Sequence, residues 1–222
     1  MGSFMSKISR AGLTLVIIGA VLLGFSLGDA LISFKPAVSF DEAYENGVEA
    51  GDHVSGRVPL LGDSFATLQT WTEDRSNNSR TPAKTSAVYY MFPAGESLVG
   101  VRVGSKSVSA ANDLVDETYG WFSGGGEPST VLELDARVAE MEEELAEAFR
   151  EELKDYYGYT DQDLEELGTP LLIEPRAFTT IRVFCGAGAG LLLLGVLLLV
   201  LRWRKVSASL RRARADYDPD LG

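Results

Sequence analysis

Two uncharged stretches constrain this chain more than anything else in it: Ala11–Gly28, AGLTLVIIGAVLLGFSLG, and Val183–Leu201, VFCGAGAGLLLLGVLLLVL. At about 1.5 Å of rise per residue each helix covers about 27 to 28 Å, close to the ~30 Å of bilayer hydrocarbon. A helix apolar on every face suits lipid better than the flank of a small domain. Two transmembrane helices are therefore expected, at 11–33 and 178–202, with short ends at 1–10 and 203–222 and one domain at 34–177 between them. A cleaved signal peptide is the rival reading of the first stretch, because Lys7 and Arg10 precede it and Ser26 and Gly28 offer small residues for cleavage. Against it, the run exceeds the usual apolar core of about 7 to 15 residues, and apolar character resumes at Leu31, Ile32 and Phe34.

Orientation follows from the bias of basic residues toward the cytoplasm. Lys7 and Arg10 precede the first span, and Arg202, Arg204, Lys205, Arg211, Arg212 and Arg214 follow the second, whereas only Lys35, Arg176 and Arg182 flank the opposite ends. The sequence thus predicts a multi-pass protein of the cell membrane with both termini cytoplasmic and the domain exported. Phe178 and Trp203 stand where interfacial aromatic belts form. Arg202, Arg204, Lys205, Arg211 and Arg212 are positioned to meet anionic lipid headgroups, at roughly 1 kcal/mol each. The acidic tail end, DYDPD, reads as a disordered terminus or, more weakly, as a docking segment for a cytosolic partner.

Small residues recur every fourth position at Ala20, Gly24 and Gly28, and again at Gly186 and Gly190. That spacing lets helix backbones approach closely in lipid, so a packed hairpin or a homo-oligomer through the spans is expected, against the plainer reading that glycine and alanine are common in spans. Asp29 and Arg182 border the apolar runs at the same predicted membrane face. An interhelical ion pair would lower the cost of holding both charges there; separate snorkelling to water is the alternative.

The domain is acidic. Residues 34–177 hold 28 of the chain's 32 carboxylates against 11 Lys and Arg, about −17 where the whole chain carries −12. Such a surface repels phosphate backbones, so nucleic acid is not an expected partner. The single cysteine, Cys185, lies in the second span and forbids an intrachain disulfide or a thiolate metal cluster, and the single histidine, His53, excludes the usual zinc ligand sets. No cofactor is expected.

Within the domain, Val54–Leu61 and Ser64–Thr70 read as a strand pair turning at Leu61, Gly62 and Asp63, and Ala87–Phe92 with Ser97–Val103 as a second pair turning at 93–96. The polar EDRSNNSRTP, Glu73–Pro82, reads as an exposed loop. Ser107 is placed to cap a helix to about Tyr119, and Gly124–Pro128 breaks the chain. Leu134, Val138, Met141, Leu145, Phe149, Leu153 and Tyr156, at steps of three or four, predict one long amphipathic helix over about 134–157. Thr160 and Asp163 form a capping-box pattern for a short helix ending near Gly168, after which LLI is extended. The expected fold class is α+β, a small antiparallel sheet with amphipathic helices, bracketed by the two membrane helices. A small barrel of the oligonucleotide-binding type is an alternative.

Catalytic sets are sparse. His53 is the only imidazole and reads as structural rather than as a general base. The glutamates of the late helix fall mostly on its polar face, and no loop has the ligand spacing of a dedicated calcium site. Asn77, Asn78 and Ser79 satisfy a glycosylation sequon, relevant only in a eukaryotic secretory route.

The run GDHVSGRVPLLGDS, the segment TPAKTSAVYYMFP followed by LVGVRV, and the late helix leading to TPLLIEP before the second span resemble a group of uncharacterised bacterial two-span membrane proteins known only as a domain of unknown function. The resemblance covers most of the chain and implies no catalytic residue. The function expected is a non-enzymatic, membrane-anchored domain presented outside the cytoplasmic membrane for a protein partner or an envelope assembly. The alternatives are a ligand sensor signalling through the hairpin and, last, a membrane-bound hydrolase.

Overall fold

The computed structural model describes residues 2–74 and 79–215, with side chains at 10–73 and 81–211. The sequon asparagines Asn77 and Asn78, the Arg212 side chain and the DYDPD tail lie outside them. The chain divides into two compact units, residues 1–31 with 178–222, and residues 32–177.

Helix α1 (Gly2–Ser33) leads into a short strand β1 (Val38–Ser39) and helix α2 (Phe40–Asn46), whose N-terminus is capped by the Ser39 hydroxyl accepting from the Glu42 N–H at 3.1 Å. Strand β2 (His53–Arg57) and an irregular passage through Leu61 precede β3 (Ser64–Thr70). A small separate hairpin, β4 (Glu73–Asp74) with β5 (Ser79–Arg80), occupies the polar segment expected to be a loop. Strands β6 (Lys84–Ala94) and β7 (Ser97–Gly104) form the predicted hairpin, and Gly95, at φ 60°, supplies the left-handed residue that a two-residue turn requires. Helix α3 (Val108–Phe122), strand β8 (Glu133–Glu140), helices α4 (Glu143–Asp155) and α5 (Asp161–Leu167), and strand β9 (Leu171–Pro175) complete the domain before helix α6 (Phe178–Ala215).

The α+β class holds, but the sheet is neither small nor antiparallel. It is an open seven-stranded mixed sheet in the order β1-β2-β8-β9-β7-β6-β3, parallel at β1/β2 and β7/β9. The expected hairpin at 61–63 does not form: β2 pairs with β8 and β3 with β6, at opposite ends of the sheet. The residues between them are held elsewhere, Val58 N–H on Leu132 and Gly62 N–H on Met91, both at 2.8 Å. The expected 134–157 helix is divided. Its first third is β8, with Ala136 and Val138 buried and Asp135 and Arg137 on the other face, because β2 and β9 hydrogen-bond it from both sides. Ser107 occupies the α3 N-cap, yet its side chain makes no capping bond.

Each sheet face has its own core. Phe40, Ala43, Leu114 and Val115 of α2 and α3 pack on Val54, Tyr90, Phe92, Val101 and Ile173. On the other face Phe149, Leu153 and Leu164 of α4 and α5 pack on Met91, Met141 and Leu172. The period-two alternation of β6, Tyr90 one way and Met91 the other, supplies both layers.

In the helical unit α1 and α6 run antiparallel. A Cβ added to Gly12 would meet the Gly195 carbonyl oxygen at 3.2 Å, and one added to Gly19 would lie 2.7 Å from that of Gly188. Gly12, Gly19 and Ser26 are buried at seven-residue steps, as are Gly188 and Gly195. A seven-residue repeat keeps one seam facing its partner in a left-handed helix pair. The four-residue stripe, expected as the seam of a hairpin or of a homo-oligomer, lies off the hairpin seam: a Cβ added to Gly24, Gly28, Gly186 or Gly190 would have nothing within 4 Å, and Ala20 is exposed. Outside the seam the surface is apolar, with Ile17, Phe25, Leu31, Val183, Leu193 and Leu197 exposed. Two helices, Arg10–Ser33 and Phe178–Arg211, are long and apolar enough to cross a membrane.

Candidate functional site

On the face shared with α4 and α5, the helices leave part of the sheet uncovered, and this part is polar. Register aligns His53 with Arg137, Arg137 with Glu174, and Arg102 with Tyr89, so side chains from five strands form one row. Glu174 is its centre. Its carboxylate accepts from Arg102 at 3.0 Å, from Arg137 Nε and Nη2 at 3.3 and 3.2 Å, and from Arg176 at 2.6 Å. The three guanidinium groups are partly exposed and border a groove of about 530 Å³ that Glu140, Glu142 and Glu144 also line. This network ties β7, β8 and β9 together and leaves both signs of charge on the groove walls.

His53 stands at the end of the row. Its Nε2 lies 2.7 Å from Asp135 Oδ1 and its Nδ1 3.5 Å from the Lys35 carbonyl, and the residue is only 7% exposed. His53 of β2 is thereby tied to Asp135 of β8 and faces the Lys35 carbonyl ahead of β1.

A second region is built on the irregular passage after β2 and the last turn of α3. Leu61 N–H donates to the Thr118 hydroxyl at 3.2 Å, which itself donates to the Leu114 carbonyl at 2.7 Å, and Met91 N–H donates to the Asp63 carbonyl at 3.0 Å. These bonds fix Leu60 as a shared wall between two cavities. One, about 230 Å³, is apolar and lined by Leu61, Met91, Leu98, Phe122 and two tyrosines, Tyr119 and Tyr157. The Tyr119 hydroxyl donates to the Asp63 carboxylate. Burial, then that bond, pushes the Tyr119 pKa up, and burial followed by the Asp63 charge does the same to Tyr157. Glu152 is also raised, first by burial and then by the charges of Asp63 and Asp155. The other cavity, about 360 Å³, is lined by Tyr44, Pro59, Trp121 and Pro128 with Asp41 and Glu127.

The wall beyond is fixed by Glu117, which accepts from the N–H and hydroxyl groups of both Ser129 and Thr130. Those bonds, led by the one from the Thr130 N–H, hold its carboxyl below the ordinary range. Arg57 donates to the Pro128 and Thr130 carbonyls at 2.9 and 3.2 Å. The Trp121 and Phe122 rings lie 5.2 Å apart, and Phe122 is 67% exposed. A further open groove, about 850 Å³, runs past Glu45, Glu49, Asp52 and Glu96. Among the described residues no cluster of His, Cys, Asp and Glu is placed to hold a metal.

Of these groups the sequence marks His53, read as structural, and the glutamates of the late helix, read as a polar face; none was singled out as a site. The residues that were, Ala20, Gly24, Gly28, Gly186, Gly190, Asp29 and Arg182, lie in the helical unit, Asp29 and Arg182 at the end where α1 finishes and α6 begins. Arg202, Arg204, Lys205 and Arg211 stand on α6, which continues as helix past the apolar run. Leu60, Tyr119, Trp121 and Phe122 carried one legible signal, an aromatic cluster YGWF beside a glycine-rich break, but the cavities need a loop and a helix end that the sequence does not bring together.

No curated protein and no solved structure matches the chain. A family model does, over residues 1–201, and the chain therefore belongs to the family described as a domain of unknown function (DUF8577).

Proposed function

We propose that this is a non-enzymatic, membrane-anchored protein that presents its acidic α+β domain outside the cytoplasmic membrane to a protein partner or envelope assembly. The observation that carries the reading is the antiparallel pairing of α1 and α6, Gly12 against Gly195 and Gly19 against Gly188. A hairpin in that register sends both of its connections to residues 32–177 out of the same end, so one face of the membrane receives the whole domain. The opposite end carries Arg202, Arg204, Lys205 and Arg211, which the bias of basic residues assigns to the cytoplasm and to anionic headgroups. The apolar surface of the hairpin requires lipid around it, and the outward stripe Ala20, Gly24, Gly28, Gly186 and Gly190 suits contact with a further helix, from a partner or a second copy. Asp29 and Arg182 pair across the hairpin end in this reading.

Sidedness is tested by a reporter in the loop at Gly125 and another at the C-terminus of the full chain in cells. The loop reporter should be active only outside and the terminal one only inside; a cytosolic loop reporter overturns the proposal. The unbroken helix from Phe178 to Ala215 favours a second reading, a sensor transmitting a domain event to the tail. Deleting residues after Lys205 abolishes output in a sensor and leaves a presented module intact.

A further inference from the structure

We infer that the paired cavities on either side of Leu60 are a docking site for a cationic, apolar-bearing segment of another protein, an assignment that names the partner surface of the module proposed above. The two cavities are already shaped, because the passage between β2 and β3 is pinned to α3, to β6 and to Leu132 by main-chain bonds. Their composition is that of an interaction surface. Tyr44, Tyr119 and Phe122 are exposed beside Trp121, Pro59 and Pro128, and large aromatic side chains left in water around small apolar hollows mark places where a partner's side chains insert.

Charge decides between occupants. The larger cavity is rimmed by Asp41 and Glu127, and the smaller has Asp63 at its edge, held by Tyr119. Among the described residues that line the cavities the one cation, Arg57, is committed to two main-chain carbonyls. An anionic lipid surface would be repelled by these carboxylates, and a second copy of a domain holding 28 acidic against 11 basic residues would be repelled by the whole surface. A lysine or arginine, in contrast, would lie between the Tyr44 and Trp121 rings and the Asp41 and Glu127 carboxylates. An aliphatic side chain of the same segment would fill the hollow under Phe122. Leu60 lines both cavities, so the same-face residues i and i+2 of an extended segment, about 7 Å apart, would engage one each.

The test uses the full chain in nanodiscs of zwitterionic lipid, challenged with a peptide array in which a Leu and a charged residue are placed at i and i+2 in a Gly/Ser background. Lys- and Arg-bearing peptides should bind at least tenfold more tightly than their Glu counterparts. Phe122→Ala and Trp121→Ala should each weaken that binding about tenfold with thermal unfolding unchanged. The double reversal Asp41→Lys with Glu127→Lys should transfer the preference to Glu-bearing peptides, a change that loss of folding cannot produce. Equal binding of both charge classes, or binding insensitive to Phe122 and Trp121, overturns the inference. Purified protein in nanodiscs is open to peptide on both sides, so failure here leaves the reporter assay of sidedness standing, and a failed reporter assay leaves this result standing.

Discussion

Gly19 is the residue on which the helical unit turns. Its missing side chain lets the α1 backbone lie against Gly188, and a Cβ there would stand 2.7 Å from both the Gly188 carbonyl oxygen and the Leu192 nitrogen, main-chain atoms that move only if the helices separate. Gly19→Leu should therefore destabilise the hairpin by roughly 1 to 3 kcal/mol, the range for overpacking a close contact. Gly24→Leu, in open space, should stay within about 0.5 kcal/mol. Thermal unfolding of the two variants in detergent separates them, and equal losses would show that the seam is misplaced. Glu117 is the corresponding residue for the docking surface, since its carboxylate binds both Ser129 and Thr130. Its carboxyl is lowered in the folded state, chiefly by the Thr130 N–H. The pinning is thus complete above the ordinary carboxylate pKa of about 4.3 and is lost as pH falls through the lower folded value. Amide exchange at 129–130 should stay slow down to that lower range, and Glu117→Gln should make it fast at neutral pH.

Elements show which sequence signals survive packing. The capping box was legible because it is local: Thr160 and Asp163 satisfy each other's neighbouring N–H groups whatever surrounds α5, and both bonds are present. Thr160→Ala should cost about 1 kcal/mol, read as a shift of the urea midpoint at unchanged slope. Asp163 is lowered by the Thr160 hydroxyl, so its share of the cap holds at neutral pH and is lost only as pH falls through that depressed value. The β6–β7 hairpin was legible for the same reason, with Gly95 at the turn between two β-rich runs. The segment from Leu134 to Glu140 was not. Leu134, Val138 and Met141 fit a helical period, while Leu134, Ala136 and Val138 fit a strand period equally well, and the choice was made by β2 and β9, which lie far away in the chain and leave no local mark. The parallel pairing of β7 with β9 and the separation of β2 from β3 are long-range in the same way. The candidate site was hidden by that topology, since Leu60, Tyr119 and Tyr157 meet only once the sheet has been ordered. The two long apolar helices needed no such information, because length and composition alone mark them in the sequence.

At the scale of the molecule, residues 32–177 carry a complete sheet and two cores, one under α2 and α3 and one under α4 and α5. A domain of this size buries about two thirds of the surface its unfolded chain exposes, which suffices for independent folding. The excised fragment should unfold cooperatively in urea, with circular dichroism and the fluorescence of Trp71 and Trp121 reporting the same midpoint. Its excess of carboxylates acts against compactness, because like charges brought close in the fold repel more than in the open chain. The Arg102, Arg137 and Arg176 network about the largely buried Glu174 is screened far less than the surface repulsion is. Raising the salt from about 10 mM to 150 mM shortens the screening length from about 30 to 8 Å, so it should relieve the repulsion while sparing the network, and the midpoint should rise. A fall would mean that surface attractions between the scattered lysines and arginines and their acidic neighbours outweigh the net charge. A broad transition, or midpoints that differ between the two probes, would mean that the two cores depend on the helical hairpin for their order.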